Sequence, residues 1–139
     1  MNRSAAREEA FKLLYSLEIQ KENIEEQTKI YLENEEISNE NIKSYISGIV
    51  EGIEKNIKEI EEKISENLKK DWKIERISKI NLVLLKLAIY EIIYTDTPFK
   101  VVINEVVELA KKYGDDNSKS FVNGILASIV KEKKIAQEE

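Results

Sequence analysis

Residues 79–95, KINLVLLKLAIYEIIYT, are apolar on nearly every side when they are drawn as a helix. A helix with one apolar stripe lies at a protein surface, whereas a helix that is apolar all round is buried. We therefore expect this segment to be the central helix of the protein, surrounded by other helices. Its residues Leu84, Leu87 and Ala88 are predicted to lie in the core.

The composition excludes a sheet-rich fold, because the turns between strands consume glycine and proline. The 139 residues include only 4 glycines and 1 proline, and 42% of them are hydrophobic. This length and apolar content predict one all-α domain over residues 1–139, a compact helical bundle. Apolar residues also recur at helical spacing along most of the chain. On the last two helices, the expected core residues are Val106, Leu109, Val122, Ile125 and Leu126.

Capping residues and helix breakers predict where the helices begin and end. The predicted N-caps are Ser4, Ser38 or Asn39, Ser78, and Thr97 with Pro98 in the turn after it. The first helix is expected to end at Asn23 and the sixth at Gly114, and residues 71–75 are expected to form a connection. A short second helix is expected at about residues 25–36, with Ile30 and Tyr31 as its apolar anchors.

Two further features concern the third helix and the C-terminus. Gly48 and Gly52 lie four residues apart inside the predicted third helix. Glycine destabilises a helix interior, so this pair indicates either close helix packing or a break near Gly52. Residues 133–139 are expected to form a frayed tail, as chain ends commonly do.

The residue types exclude several classes of chemistry. The chain has no histidine and no cysteine, which excludes imidazole catalysis, disulfides and thiolate metal sites. No carboxylate loop for a hard cation, phosphate-binding loop or nucleophile motif is present, so we expect neither an enzyme nor a bound metal or cofactor. No signal peptide or membrane span is predicted, so a cytoplasmic protein is expected.

Glu91 is the best single candidate for acid–base chemistry, because it lies in the apolar central segment. A buried carboxylate needs a partner, since an unpaired buried charge costs several kcal/mol. The candidate partners are Arg76, Lys86 and Lys100. We interpret Glu91 as a structural group that one of these cations satisfies.

Charge is distributed unevenly along the chain. The net charge is −5, made up of +1 in residues 1–21, −6 in residues 22–70 and zero in residues 71–139. An RNA site should therefore use the two ends of the chain, because the acidic middle repels phosphate.

Aromatic residues lie close to basic residues at both ends of the chain. Tyr15 follows Arg7 and Lys12, Tyr113 follows two lysines, and Phe121 follows Lys119. Such pairs hold single-stranded RNA, because cations contact phosphates while rings stack on bases. Periodicity alone leaves open the alternative that these rings are core residues.

Several segments together closely resemble the NusB family. They are Ala6-Arg7-Glu8, Leu14-Tyr15-Ser16, LAIYE at 87–91, PFKVVINEVVELAKKYG at 98–114 and SKSFVNGIL at 118–126. The resemblance covers the whole chain and is strongest in residues 71–130. It implies an all-helical fold with two small subdomains totalling about seven helices.

The resemblance also implies a function. Members of the family bind the boxA segment of nascent ribosomal RNA together with the ribosomal protein NusE. The complex joins the transcribing RNA polymerase and suppresses termination in ribosomal RNA operons. A transcription antitermination adaptor that binds RNA and is not an enzyme is therefore expected.

The resemblance assigns residues to these partners. The family's N-terminal arginine motif matches Arg3 and Arg7, and its aromatic RNA positions match Tyr15, Tyr113 and Phe121. Asn117 stands where the family often has aspartate, and it brackets the loop before the last helix with Lys119. We expect this loop to pack beside the first helix. The expected NusE contacts are Glu75, Arg76, Lys79 and Asn81, and Asn104 and Glu105 are expected to dock helices.

Two alternatives remain at this point. The chain has few arginines near its N-terminus, so it could instead be a helical protein–protein interaction module with little RNA binding of its own. NusB-like domains also precede the catalytic domain of RNA cytosine methyltransferases, but the free-standing adaptor is expected here. The resemblance leaves the oligomeric state open, since some family members form homodimers.

Overall fold

The computed structural model describes residues 1–34, 37 and 39–138, with side chains described as far as residue 133. The described part of the chain contains seven α-helices, one 3₁₀ turn at Ile74–Arg76 and no strand. The helices are α1 (Arg3–Ile19), α2 (Ile24–Leu32), α3 (Glu40–Lys55), α4 (Ile57–Glu66), α5 (Lys79–Tyr94), α6 (Phe99–Tyr113) and α7 (Ser118–Glu138). This confirms the predicted all-α bundle of about seven helices.

The apolar segment forms α5, which is the central helix as predicted. It packs against α1, α3, α4, α6 and α7. Leu84, Leu87 and Ala88 are fully buried. The five core positions predicted on α6 and α7 are buried as well. Helices α1, α2 and α3 pack on one another, and α4 packs on α3. Helices α6 and α7 pack on each other and on α5.

Two of the predicted N-caps are confirmed and two are wrong. The side chains of Asn39 and Ser78 accept backbone hydrogen bonds at the starts of α3 and α5. Asn2, not Ser4, caps α1 by accepting from the Ala5 N–H at 2.8 Å. The Thr97 side chain makes no cap at α6, where Pro98 takes the N-cap position.

The helix ends differ from the prediction near α2. Helix α1 ends at Ile19. Asn23 does not end α1 but occupies the N-cap position of α2, at a left-handed φ of 53°. Helix α2 ends at Leu32, while residues 35, 36 and 38, including the predicted cap Ser38, lie outside the described residues. Tyr31 packs on the core as expected, but Ile30 is 63% exposed and is not an anchor.

Gly52 brings α3 close to α5, whereas Gly48 does not. A β-carbon at Gly52 would overlap the ring of Tyr90, while one at Gly48 would meet nothing within 4 Å. Helix α3 then ends just beyond Gly52, and Asn56 separates it from α4. Both predicted alternatives, close helix packing and a break in the helix, are therefore found at or near Gly52.

The tail that was expected to be frayed, residues 133–139, falls on the C-terminal end of α7. The backbone is helical as far as Glu138, while the side chains from 134 onward and all of residue 139 lie outside the described residues. Within the described part, no helix combines the length and apolar character that crossing a bilayer requires.

Candidate nucleic-acid interface

Two half-buried tyrosines each contact the same buried phenylalanine where α1 lies against the end of α6. The ring centroid of Phe11 is 6.3 Å from that of Tyr15 and 5.0 Å from that of Tyr113. Phe11 is only 2% exposed, so it supports the other two rings from beneath. The structure thus brings together two of the predicted RNA-binding residues, which we call the tyrosine pair (Tyr15 and Tyr113).

Lysines near the tyrosine pair form ion pairs with glutamates of α1. Lys112 Nζ lies 5.5 Å from the ring centroid of Tyr113 and 2.6 Å from Glu8 Oε2. The Tyr113 hydroxyl also donates to Glu8, and these hydrogen bonds, with that of Lys112 the larger influence, lower the pKa of Glu8. Lys12 Nζ lies 3.5 Å from Glu9. Cations for phosphate are therefore present, but carboxylates partly neutralise them.

A second aromatic contact, between Trp72 and Phe121, was not predicted from the sequence. Trp72 lies in the connection between α4 and α5, is 50% exposed and has its ring centroid 6.5 Å from that of Phe121. Its backbone N–H donates to the Lys69 carbonyl at 3.0 Å, which forms a turn. The sequence did carry a signal, since the only tryptophan stands in the basic stretch KKDWK.

Asn117 in the loop between α6 and α7, and Lys119 in the first turn of α7, are exposed. Ser118 is 1% exposed, and its Oγ accepts from the Asp115 N–H at 3.0 Å. A β-carbon at Gly114 would overlap the Ser118 side chain, so glycine permits this tight turn. The loop was predicted to pack beside α1. The residues that contact α1 lie in the last turn of α6, just before the loop: Tyr113 contacts Phe11 and Lys112 contacts Glu8.

Arg7, predicted to reach an RNA phosphate, is instead buried and paired with Glu91. It is 2% exposed, and its Nε and Nη2 donate to Glu91 at 2.6 Å and 3.2 Å. The Tyr45 hydroxyl donates to the same carboxylate at 2.9 Å. Burial alone would lower the pKa of Arg7, but hydrogen bonding and attraction to Glu91 raise it. The prediction for Arg7 is wrong because the carboxylate on the central helix needs this partner.

The predicted partners of Glu91 are accordingly wrong. Lys86 Nζ donates to Glu18 Oε1 at 2.8 Å instead. Arg76 and Lys100 are exposed, and neither forms an ion pair among the described residues. The structural interpretation of Glu91 holds, but its cation comes from α1, some eighty residues earlier in the chain.

The first turn of α1 is held to α3 and α6 by side chains. The Arg3 guanidinium carbon lies 4.2 Å from the ring centroid of Tyr45, while Arg3 itself stays exposed. The Ser4 hydroxyl donates to Glu105 Oε2 at 2.8 Å, which confirms Glu105 as a helix-docking residue. The same prediction is wrong for Asn104, which is exposed.

The residues predicted to meet a protein partner lie around the start of α5. Glu75, Arg76 and Lys79 are exposed. Asn81 differs from the prediction because it is buried, and its Oδ1 has no hydrogen-bond partner in the described structure. Its burial follows from the apolar surroundings of α5, so only three of the four residues are presented to solvent.

The aromatic and basic residues described above have the chemistry of a binding surface. Half-exposed rings can stack on unpaired bases, and lysines beside them can contact phosphates. Among residues whose side chains are described, no three acidic groups are arranged to hold a metal ion.

Comparison with known proteins identifies the family of this chain. The chain is 52% identical over 134 residues to the transcription antitermination protein NusB of Acetivibrio thermocellus, covering 96% of this chain and 91% of that protein. It is 49% identical to the NusB protein of Clostridium novyi, over 94% and 99% of the two chains.

Solved structures agree with the sequence relatives. NusB from T. maritima superposes with a TM-score of 0.84 at 34% identity, covering 95% of this chain and 92% of its own. A crystal structure described as NusB and NusE in complex with dsRNA gives a TM-score of 0.84 at 32% identity, covering 94% and 96%. A sequence model of the NusB family matches residues 4–131, and the chain belongs to the NusB family.

Proposed function

We propose that this protein is an RNA-binding transcription antitermination factor. In this proposal it binds the boxA segment of nascent ribosomal RNA together with NusE. The complex then joins the transcribing RNA polymerase in the cytoplasm. The protein acts through binding alone and needs no cofactor.

The observation that carries the proposal is the tyrosine pair with Lys112 beside it. Tyr15 and Tyr113 both pack against the buried Phe11, which restricts the orientations that their rings can take. Rigid rings bind bases at a smaller entropic cost than mobile rings. The Trp72–Phe121 contact and the exposed Lys119 offer a second place where a base and a phosphate could bind.

The proposed NusE surface comprises Glu75, Arg76 and Lys79. These residues carry both signs of charge in a short exposed stretch at the start of α5. Asn81 lies just behind them with an unsatisfied oxygen, and a partner's donor that reached it would relieve a cost of about 1–3 kcal/mol. The crystal structure of a NusB relative in complex with NusE and dsRNA supports two partners acting together.

One observation favours a second candidate, a protein–protein interaction module with little RNA binding of its own. Arg7 is buried, and Lys12 and Lys112 lie beside glutamates. Few free cations therefore face an RNA backbone at the tyrosine pair. In the leading proposal NusE compensates for this by adding positive surface.

The test is a titration of boxA-like RNA with and without NusE at several salt concentrations. We expect weak, strongly salt-dependent binding by the protein alone and tighter binding with NusE. A scrambled RNA of the same composition is the control for sequence preference. Equal RNA affinity with and without NusE would contradict the joint mode, and no RNA binding in either case would favour the second candidate.

A further inference from the structure

A cavity of about 300 Å³ opens among α1, α3, α4 and α5, and it shares no lining residue with the proposed RNA surface. Its floor is apolar and consists of Leu14, Leu17, Val50, Ile53 and Val83. A pocket of this size lies at the small end of those that hold ligands, so it suits one or two apolar side chains.

The rim of the cavity carries unpaired negative charge. Glu18 is neutralised by Lys86 at 2.8 Å and by Lys21 at 3.1 Å. Glu54 and Glu61 also line the cavity, but neither forms an ion pair among the residues that the structure describes. Two carboxylates beside an apolar floor therefore lack a cation.

The cavity continues into a larger concave surface of about 1060 Å³ between α2 and α3, with Ile24, Val50 and Glu54 lining both. We call the two together the acidic groove. The second part has a rim of five glutamates against two lysines, namely Glu25, Glu26, Glu33, Glu51 and Glu54 with Lys29 and Lys43. The groove thus extends over two adjoining concave regions, with an apolar floor in the first and glutamates lining both.

We propose that the acidic groove binds an amphipathic helical segment of a partner protein that carries lysine or arginine. Apolar side chains of the segment enter the cavity, as in other helix-in-groove complexes. Its basic side chains lie against Glu54 and Glu61. Six of the thirteen acidic residues in segment 22–70, whose net charge is −6, line this groove.

Charge decides against RNA as the occupant. A phosphate backbone entering the groove would meet glutamates that no described cation neutralises, and this repulsion opposes binding. The two adjoining parts of the groove argue for a polypeptide segment, because a small apolar ligand would leave the acidic part unoccupied.

The probe for the test is a fluorescent helical peptide of about 15 residues with leucines at i, i+3, i+4 and i+7 and lysines on the other face. One control peptide keeps the leucines but replaces the lysines with glutamates. A second keeps the composition but scrambles the order. We expect saturable binding of the lysine peptide alone, and no saturable binding would overturn the proposal.

Charge reversal localises the site. The double variant Glu54→Lys/Glu61→Lys should weaken binding of the lysine peptide by about tenfold, because two attractions become repulsions. The matched control Glu62→Lys/Asp96→Lys changes the net charge equally at exposed positions outside the groove and should bind like the parent. Equal weakening in both variants would show a non-specific charge effect and overturn the proposal.

Methyl NMR adds a readout independent of affinity. The peptide should shift the methyl signals of Ile24, Ile53 and Ile57, which line the groove, and leave Ile125 and Ile129 of α7 unchanged. Shifts confined to α7 would place the peptide elsewhere and overturn the proposal.

Discussion

Arg7 on α1 and Glu91 on α5 form a buried two-point ion pair, with Nε–Oε2 at 2.6 Å and Nη2–Oε1 at 3.2 Å. Each side chain is 2% exposed. The pair joins the N-terminal helix to the central helix, and the Tyr45 hydroxyl adds a hydrogen bond from α3. Arg7, which was expected to bind RNA, thus has a structural role in the core.

Removing Arg7 should destabilise the protein strongly. Arg7→Ala leaves Glu91 buried without a cation, which typically costs about 3–5 kcal/mol. The control Arg3→Ala removes an exposed arginine four residues earlier and should cost about 1 kcal/mol or less. Urea unfolding measures both, and equal stability of the two variants would contradict the structural role of Arg7.

Glu18 should make stability dependent on acid pH. Burial alone would raise the pKa of Glu18, but hydrogen bonds and attraction from Lys86, and then from Lys21, lower it below 4.5. The folded state therefore binds fewer protons than the unfolded chain, and this stabilisation is complete above pH 4.5 and is lost as the pH falls through the lowered pKa.

The matching variant is Glu18→Gln, which removes the titrating group. It should be less stable than the parent at neutral pH, and the difference should shrink as the pH falls to about 3. Thermal unfolding across this range checks the prediction. A difference that stays constant with pH would show that the loss comes from packing and not from charge.

The sequence predicted the fold better than the site. The fold depends on the periodicity of apolar residues, whereas the site depends on which charged side chains pair with each other. The spacing of apolar residues alone was enough to place Leu84 and Val122 in the core. Nothing in spacing indicated that Arg7, and not a nearer cation, would meet Glu91. That choice depends on how α1 lies across α5, which is a tertiary relationship.

The N-cap of α1 also depended on a tertiary contact that the sequence did not reveal. Ser4 and Asn2 both suit a helix start. The structure uses Asn2, because the Ser4 hydroxyl instead donates to Glu105 on α6. Trp72 was overlooked because Phe121, whose ring it contacts, comes from a helix far away in the sequence.

The two glycines of α3 should respond differently to alanine. Gly48→Ala should stabilise the protein by about 1 kcal/mol, because it lowers the entropic cost of the helix and meets no neighbour. Gly52→Ala should lose that gain, because the Tyr90 ring must move. Urea unfolding of the two variants is the measurement, and equal stabilisation would contradict the close approach of α3 and α5.

Loss of a stacking ring should weaken RNA binding at every salt concentration. Tyr15→Ala and Trp72→Ala should each cost about 1–3 kcal/mol of binding free energy. Tyr15→Phe keeps the ring and should bind like the parent. The control Tyr94→Ala removes a ring on α5 that stacks on Tyr90, outside the proposed surface. An equal loss in the Tyr94 control would mean that the effect is not specific to the site.

Glu8 and Lys112 should influence RNA binding in opposite directions. Glu8 Oε2 lies 2.6 Å from Lys112 Nζ, so a phosphate must compete with this carboxylate for the lysine. Lys112→Gln removes one phosphate contact, which should weaken binding and reduce the salt slope by about 0.7 for a single strand. Glu8→Gln removes the competing charge, so affinity should rise and the salt slope should become steeper.

The double variant Glu8→Gln/Lys112→Gln distinguishes competition from a general charge effect. If Glu8 acts by occupying Lys112, its removal brings little gain once the lysine is gone, and the two changes are not additive. Glu108 and Lys111 form a matched exposed pair at 2.9 Å on α6, and the same substitutions there should leave RNA binding nearly unchanged. Additive effects at Glu8 and Lys112, or equal effects at the control pair, would contradict a direct phosphate contact, because long-range charge acts on both pairs alike.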